Sequence, residues 1–213
     1  MNFKWLPNAL TIARCVFAVL CFWGVIQALQ AQGAIDLGMT QDIPADEQGR
    51  RAAIQQLWYQ FALLAFLSGA LTDFLDGWLA RKLDAHSRFG VWLDPIADKL
   101  LVSAILLLVA ADGTIAGWSI WAAIIILCRE ILVSGLREYL AALKVSVPVT
   151  WIAKWKTTLQ MVALGFLLAG PAGDKVLPYT TETGIALLWI AAIITIYTGY
   201  DYFRAGLRHV VDE

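Results

Sequence analysis

The sequence predicts an all-α integral membrane protein, a bundle of six transmembrane helices with both termini cytoplasmic. Three observations carry that expectation. The 213 residues are 60% hydrophobic with a mean hydropathy of +0.67, well above the roughly 45–50% apolar content of soluble domains. Ten of them are Trp, whose amphipathic rings gather at bilayer interfaces. The chain also divides into apolar stretches long enough to cross the hydrocarbon core, which takes ~20 helical residues. The formal net charge of −1 says little, because in a membrane protein the distribution of charge matters more than its sum; no nucleic-acid partner is expected.

Residues 1–9 read as a short interfacial lead, with Lys4 and Trp5 at headgroup level and Pro7-Asn8 ahead of a first span over about 9–29. That apolar segment runs on without a small-residue cleavage site, so a cleaved signal peptide is not expected. Residues 30–53 are polar, acidic and carry Gly and Pro. They read as an extracytoplasmic loop, either a spacer or a partner contact. A second helix over about 54–81 exceeds the length of a span, so its end can project past the hydrocarbon. A charged link to Phe89 precedes a third span over about 90–111, and Asp112-Gly113 turns the chain. The fourth span covers about 115–143, with Arg129, Glu130, Arg137 and Glu138 in its second half. Residues 146–150 link it to a fifth span over about 151–169, ended by Gly170-Pro171-Ala172-Gly173. The sixth covers about 183–203 and a basic tail follows. With no internal repeat or low-complexity segment, residues 1–213 read as one membrane-embedded domain. The three cysteines, Cys15, Cys21 and Cys128, lie in apolar stretches without CxxC or CxxH spacing and read as small core residues.

All Lys and Arg residues except Arg50, Arg51 and Lys175 fall on the face that carries both termini. By the positive-inside rule that face is cytoplasmic, which puts the protein in the cell's inner (cytoplasmic) membrane.

The stretch from Asp73 to Asp98 is an electrostatic anomaly, because charged residues are only 15% of the chain. Its pattern is Asp73-x2-Asp76-Gly77-x2-Ala80-Arg81-x8-Gly90-x3-Asp94-x3-Asp98. Asp73 and Asp76 are three apart and Asp94 and Asp98 four apart, so each pair shares one face of its helix. The gap after Arg81 lets the helices turn back and set the pairs against each other. Four converging carboxylates repel unless cations sit between them. Oxygen ligands without a His or Cys cluster point to Mg²⁺ or Mn²⁺, or to Ca²⁺, rather than zinc. Room for two such ions suits the bridging of both oxygens in a phosphoryl displacement. Gly77 and Ala80 remove side-chain bulk, so another backbone or a flat ligand can come close. The bland alternative is four solvated helix ends, since charge near an interface costs less than at the midplane. Asp84, in the variable gap, reads as a solvated link residue.

At every fixed position this pattern resembles the signature of the CDP-alcohol phosphotransferases, integral membrane enzymes of phospholipid synthesis. LPNALTIAR near the start, CREILVSGLREYLA (128–141) and WIAKWKTTLQMVAL (151–164) are similar to the bacterial branch that makes phosphatidylglycerophosphate. The resemblance touches the first five spans and leaves residues 30–53 uncovered. It implies that Asp73, Asp76, Asp94 and Asp98 hold two divalent ions, Mg²⁺ or Mn²⁺, on the diphosphate of a CDP-linked lipid. It further implies that Asp98 is the general base and that Gly77, Arg81 and Ser87 contact the CDP part. The implied reaction moves a phosphatidyl group from CDP-diacylglycerol to glycerol 3-phosphate and releases CMP, and the family implies a homodimer.

The acceptor must be read separately. A phosphate monoester calls for Arg or Lys near the site. Arg129 and Arg137 lie about two turns apart on one stripe of the fourth helix, and Lys154 and Lys156 open the fifth at the same level. Arg129 is the strongest candidate because it lies furthest from the loop and is the hardest to leave unpaired. Each could instead be a snorkelling residue that meets anionic headgroups. Glu130 and Glu138 read as neutralising their neighbours. Asn8, Thr11 and Arg14 are weaker candidates for the nucleotide edge.

Three rivals remain. The same chemistry could serve inositol phosphate, serine or another alcohol. A Mg²⁺-dependent membrane prenyltransferase would separate its aspartate motifs on a larger bundle. A transporter or proton channel would place carboxylates near mid-span.

Overall fold

The computed structural model describes residues 6–33, 45–83, 88–143, 145 and 151–211. Among them the chain forms helices and no strand. These are α1 (Leu6–Gln32), α2 (Ala45–Leu83), α3 (Arg88–Ala111), α4 (Ser119–Ala142), α5 (Trp151–Gly173) and α6 (Thr180–Val211). Each expected span has its helix, but the boundaries need correction.

The expected loop over 30–53 is shorter, because α1 runs to Gln32 and α2 already begins at Ala45. The segment ADEQGRRAA that follows Pro44 is rich in helix formers, and Arg51 reaches back one turn to Glu47 at 3.3 Å. At 1.5 Å rise per residue, the 39 residues of α2 extend about 58 Å, nearly twice a ~30 Å hydrocarbon core. The fourth helix starts later than expected. Ile115 closes the turn after α3 instead, its N–H bonded to the Val109 carbonyl at 2.9 Å and its side chain fully buried. The α5 helix loses helical geometry at Gly170, whose φ of 46° suits glycine. The basic tail is also helical, since α6 continues to Val211.

By length and composition, Ala9–Ala31, Ser119–Ala142 and Thr180–Arg204 are able to cross a membrane, while the apolar part of α3 is the shorter Lys99–Ala111. The surface agrees with a membrane protein. On α2 the exposed residues Ile54, Leu57, Leu64, Leu67, Leu71 and Leu75 recur at helical spacing, a stripe that suits lipid and would promote association in water. Exposed Trp118 and Trp121 open α4, and exposed Trp151 and Trp155 open α5. Those two openings lie at opposite ends of the bundle, as interfacial belts require.

Inside, α1 packs on α2 and α3, and α5 packs on α2, α3 and α6, with α4 against α3 and α6. Val25, Ala62, Phe66, Ile105, Ile126 and Leu164 are among the buried residues of a continuous core. Lipid tails are as apolar as leucine, so close packing rather than water exclusion holds such helices together. Gly24 illustrates this: a Cβ there would lie 3.0 Å from the Phe61 ring and 3.2 Å from the Ala62 backbone nitrogen. Of the cysteines expected in the core, only Cys21 is buried, and Cys128 is exposed on α4.

Polar ties fix the helix directions. At one end, Tyr59 Oη donates to Asp112 Oδ2, and Lys175 Nζ donates to Gln56 Oε1 at 3.2 Å. These join α2 to the α3–α4 and α5–α6 turns. At the other end, Arg14 meets Asp73, Lys99 meets Ser134, and Lys156 meets Glu130. Consecutive helices therefore alternate in direction. Asp112 also accepts the Thr114 N–H at 2.7 Å. Burial raises its carboxyl above the ordinary 3.8, although the bonds from Thr114 pull it down.

Candidate active site

The second of these ends carries the acidic stretch. Asp73 lies on α2 with its carboxylate half-exposed at 51%, and Oδ1 accepts a charged hydrogen bond from Arg14 Nη1 of α1. Arg14 itself is 1% exposed. A guanidinium so deeply buried needs a counter-charge, and the anomalous aspartate supplies it. Thr11, one turn away on α1, is also buried. Asp76, Gly77 and Arg81 continue α2, while Asp94 and Asp98 lie on α3 and Asn8 on α1. The side chains of these six, and Ser87 altogether, lie outside the described residues. By backbone register Asp76 falls on the face of Asp73, and Asp98 on that of Asp94.

Next to Asp98, Lys99 donates from Nζ to Ser134 Oγ of α4. Ser134 is four residues after Glu130 and three before Arg137, a single helix face. This bond places the α3 aspartate turn beside the basic half of α4.

That half gathers residues from three helices. Arg129 is held at both ends of its fork: Nη1 donates to Glu130 Oε1 at 3.4 Å and Nη2 to Thr198 Oγ1 of α6 at 3.1 Å. Lys156 of α5 donates from Nζ to the same Glu130 oxygen. Arg137 donates from Nε to Tyr202 Oη at 3.4 Å, with its guanidinium carbon 5.7 Å from that ring's centre. The two arginines expected on one stripe thus both face α6, where Thr198 and Tyr202 are one turn apart. Lys156 is drawn into the group, while the side chain of Lys154 lies outside the described residues. Of the two glutamates, Glu130 neutralises its neighbours as expected. Glu138 makes no ion pair among the described residues.

Sequence reasoning missed the contributions of α6. A Cβ at Gly199 would lie 3.1 Å from Arg129 Cγ, so the arginine crosses the α6 backbone where the side chain is missing. The local signals were polar Thr195 and Thr198 three apart in an apolar helix, with Tyr202 one turn beyond. Arg129 Nε, Gln160 Oε1 and Thr195 Oγ1 are buried without a hydrogen-bond partner among the described residues. Buried polar atoms are rarely left so, and all three belong to the helices that build this cluster. The arrangement can receive a polar anion: it offers three cations, one carboxylate and unfilled hydrogen-bonding capacity beside an aspartate-bearing turn.

Comparison with known proteins gives the family. The family model described as CDP-alcohol phosphatidyltransferase matches residues 4–197. A protein of Rickettsia bellii is 48% identical over 146 residues, spanning 68% of this chain and 78% of its own length. One from Cereibacter sphaeroides is 40% identical over 186 residues, spanning 72% and 84%. One from Escherichia coli strain K12 is 40% identical over 159 residues, spanning 73% and 84%. All three are named CDP-diacylglycerol–glycerol-3-phosphate 3-phosphatidyltransferase. This chain belongs to the CDP-alcohol phosphatidyltransferase family.

Proposed function

We propose that this protein transfers a phosphatidyl group from CDP-diacylglycerol to glycerol 3-phosphate, giving phosphatidylglycerophosphate and CMP. The observation that carries this reading is the cluster of buried Lys156, half-buried Arg129 and exposed Arg137, tied by Lys99–Ser134 to the α3 turn that bears Asp98. A phosphate monoester is the ligand such a cluster suits, because guanidinium forks and an ammonium match its oxygens. The names of its relatives specify the same acceptor. A neutral acceptor such as serine would leave the cluster unanswered.

The donor set on α2 and α3 fits hard divalent cations, Mg²⁺ or Mn²⁺. Asp73, Asp76, Asp94 and Asp98 offer carboxylate oxygen, and the buried guanidinium at Asp73 marks that position as one that favours positive charge. Two such ions, when bound, neutralise the charge that develops on the diphosphate oxygens and make CMP a better leaving group. Gly77, Arg81 and Ser87, with Asn8 and Thr11 from α1, hold the CDP part. Arg129, Arg137, Lys154 and Lys156 hold the acceptor phosphate and bring its hydroxyl to Asp98. The Asp98 carboxylate takes the hydroxyl proton. The hydroxyl oxygen then bonds to the lipid-side phosphorus as the bond to the bridging diphosphate oxygen breaks, and CMP departs.

In this reading all six helices span the inner membrane, and both termini and the active site face the cytoplasm, where a soluble phosphate ester meets a lipid-anchored nucleotide. A homodimer is the expected assembly. The test is CMP release from CDP-diacylglycerol across a panel of acceptors, with and without EDTA. Release that needs divalent metal and is fastest with glycerol 3-phosphate is expected; no metal-dependent release with any acceptor overturns the reading.

A further inference from the structure

Glu130 follows Arg129 directly in α4, yet its carboxylate reaches across to α5. One oxygen, Oε1, accepts from both the Lys156 ammonium and the Arg129 guanidinium. Lys156 is 5% exposed at the side chain, and Glu130 is its sole hydrogen-bond partner among the described residues. A buried ammonium without a counter-charge is strongly disfavoured, and its four-carbon stem has no orientation of its own. The contact therefore does two things. It keeps the Lys156 charge inside the bundle, and it aims an ammonium that still has N–H donors for a ligand. Arg129 is fixed between Glu130 and Thr198. Arg137 is anchored through Nε on Tyr202, and among the described residues its terminal nitrogens meet no other side chain and can serve a ligand. The carboxylate also offsets part of the positive charge of the cluster, which among the described residues stays net cationic, as a phosphate monoester dianion requires.

We propose that Glu130 is a positioning residue for the phosphorylated acceptor, holding Lys156 and Arg129 in the orientation that receives the phosphate. It rests on the acceptor site assigned above and adds a residue to which that site gives no direct ligand role. A carboxylate against the phosphate would repel it, so Glu130 stands behind the cations and acts through them.

The experiment measures steady-state kinetics of the full chain in mixed micelles, with Glu130→Gln, Glu130→Asp, Lys156→Met, the double variant Glu130→Gln/Lys156→Met, and Arg137→Ala. Losing a hydrogen bond to a charged group corresponds to about tenfold or more. Glu130→Gln is therefore expected to raise KM for glycerol 3-phosphate by about that factor. Its kcat and KM for CDP-diacylglycerol should change little, and Glu130→Asp should recover most of the loss. Because Glu130 acts mainly through Lys156, adding Glu130→Gln to Lys156→Met should raise KM much less than it does alone. Arg137→Ala raising KM while Glu130→Gln leaves it unchanged overturns the positioning role and spares the acceptor site. Both variants leaving KM unchanged overturns the acceptor site itself. A parallel loss of kcat, of both KM values and of thermal stability marks Glu130 as merely structural. Fully additive effects in the double variant also overturn the proposal. If Glu130→Gln does not fold, the double variant, which removes the buried ammonium together with its counter-charge, decides between these outcomes against Lys156→Met.

Discussion

The acidic stretch from Asp73 to Asp98 and the basic cluster of Arg129, Arg137 and Lys156 lie at the same end of the bundle, but they are assembled by different means. The first is local. Its residues follow one another along two consecutive helices, and their spacing alone puts each pair on one face. The second is built from α4, α5 and α6, with Lys156 joined to Glu130 across 26 residues and Arg129 to Thr198 across 69. In each, a charge is balanced by an opposite one from a different helix: Arg14 of α1 for Asp73 of α2, Glu130 of α4 for Lys156 of α5. A charge placed in an apolar bundle is thus answered by a partner on another helix. The two regions should separate in kinetics, the acidic one governing the chemical step and the basic one the acceptor.

The largest separation is expected at Asp98. Asp98→Asn removes the proposed base and should lower kcat by about 10³-fold, within the range for general-base loss. CDP-diacylglycerol binding, measured by equilibrium titration, should be largely intact. Chelation with EDTA should abolish CMP release in the wild type, and excess Mg²⁺ or Mn²⁺ should restore it. Arg129→Ala acts on the other region: KM for glycerol 3-phosphate should rise about 10- to 100-fold, as for a lost charged hydrogen bond, with metal dependence unchanged. A change in the metal requirement of that variant would erase the distinction between the regions.

A smaller effect is expected at Gly199. Alanine there brings a methyl within 3.1 Å of Arg129 Cγ, a clash the flexible side chain relieves by shifting a few tenths of an ångström. KM for the acceptor should rise about threefold, as for a fraction of a charged bond, with melting temperature unchanged. The smallest effect belongs to the opposite end of the bundle and should leave both regions alone. Burial raises the Asp112 carboxyl above 3.8, so the folded state holds its proton more tightly than the unfolded chain does. Its contribution to stability is full below about pH 3.8 and is lost as pH rises through the raised value. Asp112→Asn keeps an oxygen for Tyr59 or Thr114 and cannot ionise. It should melt at a slightly higher temperature at pH 7 and flatten the pH dependence above 3.8, with kinetics unchanged.

Much was legible in the chain itself. The helix count followed from apolar segment length, because the bilayer fixes how many residues a span needs. Helix ends were less legible. The 45–53 segment reads as loop by polarity, yet polar helix formers make a helix wherever it lies outside the hydrocarbon. Ile115 reads as helix by hydropathy, yet it plugs a turn. Cys128 reads as core for the same reason and faces outward, since in a membrane apolar residues line both the interior and the surface.

The sequence by itself determined the solvent, the helical class and the aspartate motif, and with the motif the chemistry. Those depend on composition and on spacing along one helix, which 3.6 residues per turn converts directly into geometry. Only the tertiary structure decided that Arg14 answers Asp73, that Glu130 clasps Lys156, and that Arg129 crosses α6 at Gly199 beside Thr198. Those pairings join residues on different helices, and helix packing rather than local spacing brings them within hydrogen-bond reach.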